Sequence, residues 1–343
     1  MTAVLEVNNL NIDYVTKEGT LQAVRDINFK LEEGERLGLV GESGCGKTTL
    51  AKALMRLLPE NGVVSNGEII FKGNDLVPMT DEQIRQLRWK HISMISQSAM
   101  NALNPVYTVG DQIIEAIQTH DKVSKKDAYA RAADVFNLVN LEEKRLKDYP
   151  HQMSGGMKQR AIIAMSLVHD PSLIIADEPT TALDVVVQDR ILNQIIQVQK
   201  KMNSSMVFIT HDISVVSETC TTIIVMYGGK MMEKANRRDF FKNPYHPYSL
   251  GLQNAFPSIT DMGDELISIP GTPPKLINPE DGCRFKERCP FATNKCNETP
   301  EPVEVDKDHF VACHYTDKVT EFREKAAKSA TWDQQQEKLI ETS

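Results

Sequence analysis

Alternating apolar and polar positions along residues 4–14 predict a strand like those at sheet edges, and residues 21–31 predict a second strand. A short, continuously apolar strand is predicted at residues 36–40. It runs directly into the glycine-rich segment GESGCGKTT, after which residues 50–58 have helical spacing. The first part of the chain therefore predicts strands that lead into a strand, a glycine loop and a helix.

The next part of the chain alternates between short apolar strands and helices. Strands are predicted at residues 91–96, 173–176, 206–210 and 222–226. Helices are predicted at residues 80–89, 157–169 and 186–203, with a polar-rich helical block from about 109 to 146. This alternation around a glycine loop predicts an α/β fold with parallel strands at the centre of its sheet. The helical block reads as an insertion into that fold.

After about residue 240 the sequence shows little of the periodicity that predicts strands or helices. Prolines interrupt the pattern at Pro244, Pro247, Pro257, Pro270, Pro273, Pro274 and Pro279. The last segment is charged and rich in glutamine, and predicts a solvated helix or a frayed tail. The predicted domains are residues 1–245 with a helical insert at about 98–160, an extension at 246–316, and a tail at 317–343.

Composition narrows the class of protein. The chain has 343 residues, of which 41% are hydrophobic and 25% charged, values typical of a soluble globular protein. No apolar run approaches the ~20 residues needed to cross a bilayer, and the start lacks the features of a secretory signal. We therefore expect a cytosolic protein that meets a membrane only through a partner. The net charge of −8 also argues against nucleic acid as a partner.

Residues 41–48 read G-E-S-G-C-G-K-T, a full match to the phosphate-binding loop pattern. Its glycines allow backbone N–H groups to turn inward around phosphates. Lys47 would reach the β- and γ-phosphates, and the Thr48 hydroxyl would bind Mg²⁺. The following helix adds the positive end of its dipole. This segment predicts a nucleotide site.

Residues 173–178 read L-I-I-A-D-E, an apolar strand that ends in two acids. Asp177 is placed to hold Mg²⁺, directly or through water, and Glu178 to orient and polarise the attacking water. Two acids after a strand are commonly a solvated strand end. With a phosphate-binding loop upstream, they become the expected second half of the nucleotide site.

Residues 153–160 read M-S-G-G-M-K-Q-R ahead of an apolar helix. Ser154, Gly155 and Gly156 at a helix N-terminus would make a second phosphate-binding surface. One chain does not need two such surfaces for one nucleotide. We therefore expect this surface to face the ATP held by a partner subunit.

Together these motifs resemble the nucleotide-binding subunit of an ABC transporter over about residues 4–245. The Ser-Gly-Gly segment resembles the family signature, with Met153 and Met157 replacing its commoner Leu and Gln. The resemblance implies an α/β fold with an ABC-type P-loop core. It adds an antiparallel β subdomain, an inserted α-helical subdomain and a cysteine-rich, metal- or cluster-binding C-terminal extension.

The resemblance also implies residue roles. Tyr14 resembles the residue that stacks on adenine, Gln97 the Q-loop glutamine, His211 the switch histidine, and residues 182–184 (Ala-Leu-Asp) the D-loop. Residues expected at the chain's own nucleotide are Tyr14, Gly41, Ser43, Gly44, Cys45, Gly46, Lys47, Thr48, Thr49, Gln97 and Asp177. Catalytic roles are expected for Glu178, His211 and Gln97; Mg²⁺ contacts for Thr48, Gln97 and Asp177; partner-ATP contacts for Ser154, Gly155, Gly156 and Gln159; and a D-loop role for Asp184.

Further motifs at residues 104–113, 243–248, 269–274 and 282–290 resemble the dipeptide, oligopeptide and nickel importer ATPases, and the oligopeptide permease D-type subunit in particular. The resemblance implies an ATP sandwich with a second homologous ATPase subunit beneath two permease subunits. An extracytoplasmic binding protein would deliver peptide, and the ATPase would act at the cytoplasmic membrane face. An importer of oligosaccharides or nickel, a soluble ABC ATPase of translation or DNA repair, and a non-catalytic partner subunit are the alternatives.

Four cysteines lie close together near the C-terminus, at Cys283, Cys289, Cys296 and Cys313. In a reducing cytosol such a group indicates a metal or cluster site before it indicates disulfides. Their spacing does not separate Zn²⁺ from an iron–sulfur cluster, and four unligated thiols also remain open. Resemblance to the importer family favours a [4Fe–4S] cluster that holds this segment together. Cys45, in the glycine loop, has no predicted chemical role of its own.

Overall fold

The computed structural model describes residues 3–96, 102–180, 184–255 and 267–342. The chain divides into two compact units. The first unit consists of Met1–Glu6, Lys30–Arg36 and Ile70–Ile209, and the second of Val7–Phe29, Leu37–Ile69 and Thr210–Ser343. Among the described residues, no helix is both long and apolar enough to span a lipid bilayer.

The secondary structure follows the alternation expected of an α/β chain. The strands are β1 Ala3–Thr16, β2 Gly19–Glu32, β3 Arg36–Val40, β4 Gly62–Phe71, β5 Asn74–Asp75, β6 Ile92–Ile95, β7 Leu173–Asp177, β8 Ser205–Thr210, β9 Thr222–Tyr227, β10 Lys230–Asn236, β11 Val303–Asp306 and β12 His309–Val311. The helices are α1 Lys47–Leu54, α2 Asp81–Leu87, α3 Val109–His120, α4 Lys125–Leu138, α5 Gly155–Leu167, α6 Val185–Met202, α7 Ile213–Thr219, α8 Arg237–Lys242, α9 Pro247–Asn254, α10 Val319–Ala326 and α11 Ser329–Thr342.

The first unit contains a parallel sheet in the order β6-β7-β8. Leu173 on β7 pairs with Ile92 on one side and with Ser205 on the other. Every residue of β7 and β8 is buried, as expected of parallel strands covered on both faces. The predicted helical block forms α3 and α4, which pack on each other and on α5.

Short polar side chains determine where the helices of this block begin. Thr108 Oγ1 accepts a hydrogen bond from Asp111 N at 3.1 Å at the start of α3. Ser124 Oγ does the same for Asp127 N at the start of α4, also at 3.1 Å. Each bond satisfies a backbone donor that has no partner within the helix. The block therefore consists of two separately capped helices rather than one continuous helix.

The second unit contains a mixed sheet in the order β11-β12-β10-β9-β3. Strands β3 and β9 are parallel, and the other pairs are antiparallel. A separate antiparallel sheet pairs β2, β1 and β4 in that order. The inner faces of both sheets are apolar, with Leu10, Ile27 and Ile224 among the fully buried side chains. This unit carries the glycine loop between β3 and α1.

Strand β1 is not an edge strand, because it lies between β2 and β4. The edge prediction is wrong for a physical reason: alternation of apolar and polar residues reports a half-buried sheet face, not the position of a strand in the sheet. Strands β4 and β10 to β12 were also not predicted. Exposed and half-buried residues predominate in β4 and β11, so their sequences lack a strong strand pattern.

The C-terminal tail is folded and packed. Helices α10 and α11 bury Val319, Phe322, Ala326 and Trp332, and Trp332 is only 2% exposed. The Phe322 ring stacks on Phe291 with 4.1 Å between centroids, and Trp332 Nε1 donates to Ala326 O at 3.0 Å. The tail is therefore helical, as one of the two predicted alternatives had it, and it is docked rather than frayed. A few large apolar side chains, spaced on one face of polar helices, were enough to dock it.

Candidate functional site

The glycine loop of residues 41–48 connects β3 to α1 and requires glycine at specific positions. Gly41 has φ +150°, and a Cβ there would lie 2.1 Å from Met226 O. Gly46, immediately before α1, has φ +103°, and a Cβ there would lie 2.4 Å from Ala23 O. Both positions exclude any side chain by clash as well as by backbone conformation. The loop can therefore wind tightly and turn backbone N–H groups inward, as phosphate binding needs.

Lys47, the first residue of α1, lies inside this loop and is 5% exposed. Its Nζ donates to Gly41 O at 2.7 Å and to Glu42 O at 2.9 Å. The ammonium group is therefore held within the curve of the loop, next to the N-terminus of α1. The predicted nucleotide-contacting residues Ser43, Gly44 and Thr48 are exposed, and Thr49 is half-buried.

Cys45 turns its side chain away from solvent and is 2% exposed. Burial raises the pKa of its thiol, although Lys47 opposes the shift with its Nζ 3.6 Å from Sγ. The Cys45 carbonyl accepts from Gly229 N at 3.2 Å. Its side chain thus packs beneath the loop, away from the surface where a nucleotide would bind.

Tyr14 lies on β1 next to the loop helix. Its hydroxyl is 3.2 Å from Thr49 Oγ1, and its ring packs so closely on Gly62 that a Cβ there would meet it at 2.9 Å. The structure therefore brings together Tyr14 and the glycine loop, which are 27 residues or more apart in sequence. A half-buried ring at this position can offer one face to a purine base.

The acidic pair belongs to the first unit, at the end of β7. Asp177 is 3% exposed, and the next residue, Glu178, has φ +46°. The Glu178 N–H donates to Ile209 O at 2.9 Å and continues the ladder to β8. A left-handed conformation is unfavourable for a residue with a side chain, and such strain is concentrated at functional sites. The left-handed conformation of Glu178 ends β7 and changes the direction of the backbone there.

His211 is exposed and follows directly after β8, in the second unit. The next residue, Asp212, caps α7 by accepting from Ser214 N at 2.8 Å, while its own N–H donates to Thr210 Oγ1 at 3.0 Å. These two bonds define the backbone on the C-terminal side of His211. Gln97 and residues 182–183 lie outside the described residues.

The signature-like segment starts α5 in the first unit. Ser154 is exposed and its Oγ accepts from Met157 N at 3.3 Å, so it is the N-cap of the helix. Gly156 faces α6, where a Cβ would lie 3.3 Å from Val187 Cγ1. Asp184 is exposed and caps α6 through Val187 N at 3.0 Å. These residues present a helix N-terminus of the kind that binds phosphate.

Gln159 is held within its own unit. It is 4% exposed, and its amide donates to Pro179 O at 2.5 Å, in the turn that follows the acidic pair. Its contact with a partner's nucleotide stays a prediction. Gln159 connects the signature helix to the backbone just after Glu178.

The four C-terminal cysteines surround one small cavity of about 20 Å³, with Phe285 and Phe291 among its walls. Cys283 N donates to Cys296 O at 2.9 Å. Burial raises the pKa of Cys283 and of Cys313 to about 11 each, and that of Cys289 well above its usual value. Thiols with such pKa values stay protonated at neutral pH unless a metal replaces the proton.

Within the described residues, no group of three or more His, Cys, Asp or Glu side chains is arranged to hold a metal ion. The fold places the four cysteines around one cavity, but the [4Fe–4S] cluster rests on the family resemblance alone.

The sequence-based reasoning missed two residues that contact the loop from the C-terminal region. Tyr248 Oη accepts from Glu42 N at 3.0 Å, and Arg288 Nη1 donates to Glu42 Oε2 at 2.7 Å. Glu42 occupies a position of the loop pattern that accepts any residue, and its partners are more than 200 positions away in sequence. No local sequence pattern could have revealed these contacts.

Two family models match the chain. The model for ABC transporters matches residues 24–181, and the model for the C-terminal region of oligopeptide/dipeptide transporters matches residues 232–296. The second match begins within β10 and covers Cys283, Cys289 and Cys296, so this part of the C-terminal region is a family feature of its own.

Curated relatives extend over nearly the whole chain. It is 45% identical over 320 residues to a probable peptide ABC transporter ATP-binding protein of Sinorhizobium fredii, covering 92% of this chain and 96% of that protein. It is 45% identical over 325 residues to the dipeptide transport ATP-binding protein DppD of Bacillus subtilis, covering 94% and 97%. It is 45% identical over 303 residues to the oligopeptide transport ATP-binding protein OppD of Salmonella typhimurium, covering 88% and 90%.

A solved structure agrees with this likeness. A dimeric ATP-binding cassette in a post-hydrolysis state, bound to ADP and Pi, matches with a TM-score of 0.61 and 26% identity, covering 68% of this chain and 99% of that one. The parallel strands, the loop between β3 and α1 and the acidic end of β7 define an α/β nucleotide-binding protein of the P-loop class. More particularly, the chain belongs to the family of ABC transporter ATP-binding proteins, in its dipeptide and oligopeptide transport branch.

Proposed function

We propose that this chain is the ATP-binding and ATP-hydrolysing subunit of an ABC importer for dipeptides or oligopeptides. The observation that carries the proposal is a likeness of about 45% identity, over nearly the full length, to proteins named for dipeptide or oligopeptide transport. The chain also matches both the ABC transporter model and the oligopeptide/dipeptide C-terminal model. The glycine loop and the acidic pair supply the chemistry that such a subunit needs.

The chain's own residues would divide the work of phosphoryl transfer. The backbone of residues 41–48 and the Lys47 ammonium hold the phosphates, and Tyr14 packs on the base. Glu178 orients and polarises the attacking water, while His211 and Gln97 contact the γ-phosphate and the water. The reaction depends mainly on position and charge, so the buried Lys47 and the strained Glu178 are the residues whose placement matters most.

A magnesium ion would be held by oxygen ligands. Thr48 offers an exposed hydroxyl in the first turn of α1, and Asp177 and Gln97 add a carboxylate and an amide oxygen. A set of only hard oxygen donors fits Mg²⁺, which binds to few protein ligands and to the nucleotide phosphates. When bound, the ion neutralises charge on the β- and γ-phosphates.

We infer that hydrolysis takes place in a dimer of ATPase subunits. Ser154, Gly155 and Gly156 at the start of α5 would contact the ATP held by a second, homologous subunit, and Asp184 would link the two sites. A matched solved cassette is itself dimeric with ADP and Pi bound, which supports this arrangement. The dimer would act at the cytoplasmic face of the membrane, beneath two permease subunits that receive peptide from an extracytoplasmic binding protein.

We propose, on the family resemblance, that the four cysteines hold a [4Fe–4S] cluster, with Zn²⁺ as the alternative. A single tetrahedral Zn²⁺ needs four sulfurs within about 2.3 Å of one point. A four-iron cluster uses four cysteine thiolates set farther apart around a larger body. All four thiols line one cavity with apolar walls, an arrangement that either group would need. Its proposed role is structural, because it would hold a segment of little regular secondary structure.

Copurification tests the importer function. The tagged full-length chain is recovered from detergent-solubilised native membranes, and its partners are identified by mass spectrometry. We expect two permeases, a second ATPase and a peptide-binding protein. A nickel- or oligosaccharide-binding protein in its place would overturn the assignment of peptide as the cargo. Ribosomal or DNA-repair proteins would overturn the assignment as an importer subunit. Lys47→Ala is the matched control, because it should assemble normally yet fail to support ATP-dependent uptake of a labelled dipeptide.

A further inference from the structure

Glu42, the residue after Gly41 in the phosphate-binding loop, has all three of its polar groups engaged. Its N–H donates to Tyr248 Oη at 3.0 Å, and its carbonyl accepts from Lys47 Nζ at 2.9 Å. Its carboxylate accepts from Arg288 Nη1 at 2.7 Å. Two of these three partners come from the C-terminal extension, so the shape of the loop at Glu42 depends on a part of the chain outside the nucleotide-binding motifs.

Arg288 is itself rigidly held. Its side chain is 5% exposed, and its Nε donates to Pro270 O at 2.7 Å while Nη2 donates to Ile269 O at 3.2 Å. Nη1 also donates to Tyr227 Oη at 3.1 Å, and the guanidinium lies 5.5 Å from the centroid of that ring. A planar guanidinium with this many fixed acceptors holds its charge in one place. It therefore acts as a fixed positive charge opposite Glu42.

The charges within the loop explain why a fixed positive charge opposite Glu42 affects phosphate binding. The Glu42 carboxylate belongs to the same loop as the Lys47 ammonium, and its backbone carbonyl contacts Lys47 directly. A carboxylate without a partner there would compete with phosphate for that ammonium and would repel a polyphosphate. Arg288 neutralises the carboxylate and holds it in place at once.

We propose that Arg288 is a positioning residue of the phosphate-binding loop and acts through Glu42. This inference rests on the proposed role of residues 41–48 as the loop that holds ATP. Arg288 is also adjacent to Cys289, so the extension with the cysteine cavity is connected by one residue to the nucleotide loop. The extension would therefore contribute directly to ATP affinity.

A purely structural role for Arg288 makes a different prediction. If Arg288 only secured the backbone of residues 269–270 to Tyr227, its loss would lower the stability and the fraction of active protein. The ATP concentration at half-maximal rate would then stay unchanged, because the folded molecules would retain a normal loop. A positioning role instead raises the KM for ATP.

The test compares the KM for Mg-ATP and the kcat of full-length variants in the transporter complex, together with their thermal unfolding. Arg288→Ala should raise KM by about tenfold or more, because it leaves the Glu42 carboxylate without its charge partner. Glu42→Gln alone leaves the buried Arg288 charge without its carboxylate, so KM should rise here too, but less, since the amide oxygen still accepts from Arg288. Combining the two substitutions should return KM toward the wild-type value, since no charge is then left unpaired.

Arg323→Ala is the matched control. Arg323 donates Nε to Pro244 O at 2.9 Å and lies 4.9 Å from the centroid of the Tyr245 ring, so it makes the same kinds of contact without reaching the loop. It should lower the stability and leave KM unchanged. Should Arg288→Ala not fold, Arg288→Gln removes the charge and keeps a polar side chain; KM must then still rise, and adding Glu42→Gln must reduce that rise.

An unchanged KM in folded Arg288 variants, or no recovery in the double variant, would overturn the inference. Failure of the underlying function has a separate readout. If Lys47→Ala binds and hydrolyses ATP normally, residues 41–48 are not the phosphate-binding loop, whatever the Arg288 variants show.

Discussion

His309 Nε2 lies 2.7 Å from Glu233 Oε1, and neither side chain is more than 2% exposed. The Glu233 carboxylate also accepts backbone N–H bonds from Tyr245 and His246, each at 2.9 Å. One buried acid thus connects β10, β12 and the turn that leads into α9. It secures the start of the C-terminal extension to the sheet of the second unit.

Replacing His309 with Leu should strongly destabilise the protein. The substitution removes a buried hydrogen bond to a carboxylate, and a buried polar group left without such a partner typically costs about 1–3 kcal/mol. Urea unfolding of the wild type and the variant measures the difference. His314→Leu is the control, because the half-buried His314 bonds to a backbone carbonyl, Glu298 O, rather than to a carboxylate. Equal unfolding midpoints for the two variants would contradict the buried-pair account.

Glu178→Gln should bind ATP with nearly unchanged affinity and lose most of its turnover. The amide retains the size of the side chain but cannot polarise water as a carboxylate does, and loss of such a group typically costs about 10²–10⁴ in rate. Equilibrium ATP binding and steady-state hydrolysis on the same preparation separate the two effects. Glu82→Gln, which removes a surface acid paired with Arg85, should leave both unchanged. Full hydrolysis by the Glu178 variant would refute its role.

Gly46→Ala should unfold the loop region, whereas Gly44→Ala should be tolerated better. Both glycines have positive φ, at +103° and +81°, so each substitution carries roughly 1–2 kcal/mol of backbone strain. At Gly46 the new Cβ would also lie 2.4 Å from Ala23 O, while at Gly44 no atom lies within 4 Å. The difference between the unfolding temperatures of the two variants measures the destabilisation that the clash at Gly46 causes. The steric account fails if both variants unfold at the same temperature.

Cys289→Ser should lose bound iron and destabilise the C-terminal extension. Cys289 is 8% exposed, and burial raises the pKa of its thiol well above the usual value, so the thiol stays protonated unless a metal replaces the proton. Iron and acid-labile sulfide are measured on protein purified without oxygen, and limited proteolysis reports the extension. Cys45→Ala should retain iron, because Cys45 lies under the glycine loop. Wild-type protein with zinc and no iron would instead favour the alternative ligand.

Local sequence determined the elements and the chemistry of the nucleotide motifs. The prediction of strands at residues 36–40, 173–176 and 206–210 is confirmed to within one residue at each end, because short buried strands are continuously apolar. The glycine loop could be identified because its spacing is imposed by a phosphate-binding backbone within one short segment. The position of β1 between two other strands, by contrast, depends on partners distant in the chain.

Only the tertiary structure decided which residues the C-terminal region contacts in the rest of the chain. The contacts of Arg288 and Tyr248 with Glu42, the burial of Gln159 against Pro179, and the docking of Trp332 all join residues by packing and hydrogen bonding rather than by a repeating pattern. A sequence motif shows only those ligand-binding groups that lie close together in the sequence. Which distant side chain neutralises a loop carboxylate is decided only when the folded chain excludes water around it and requires a partner for the buried charge.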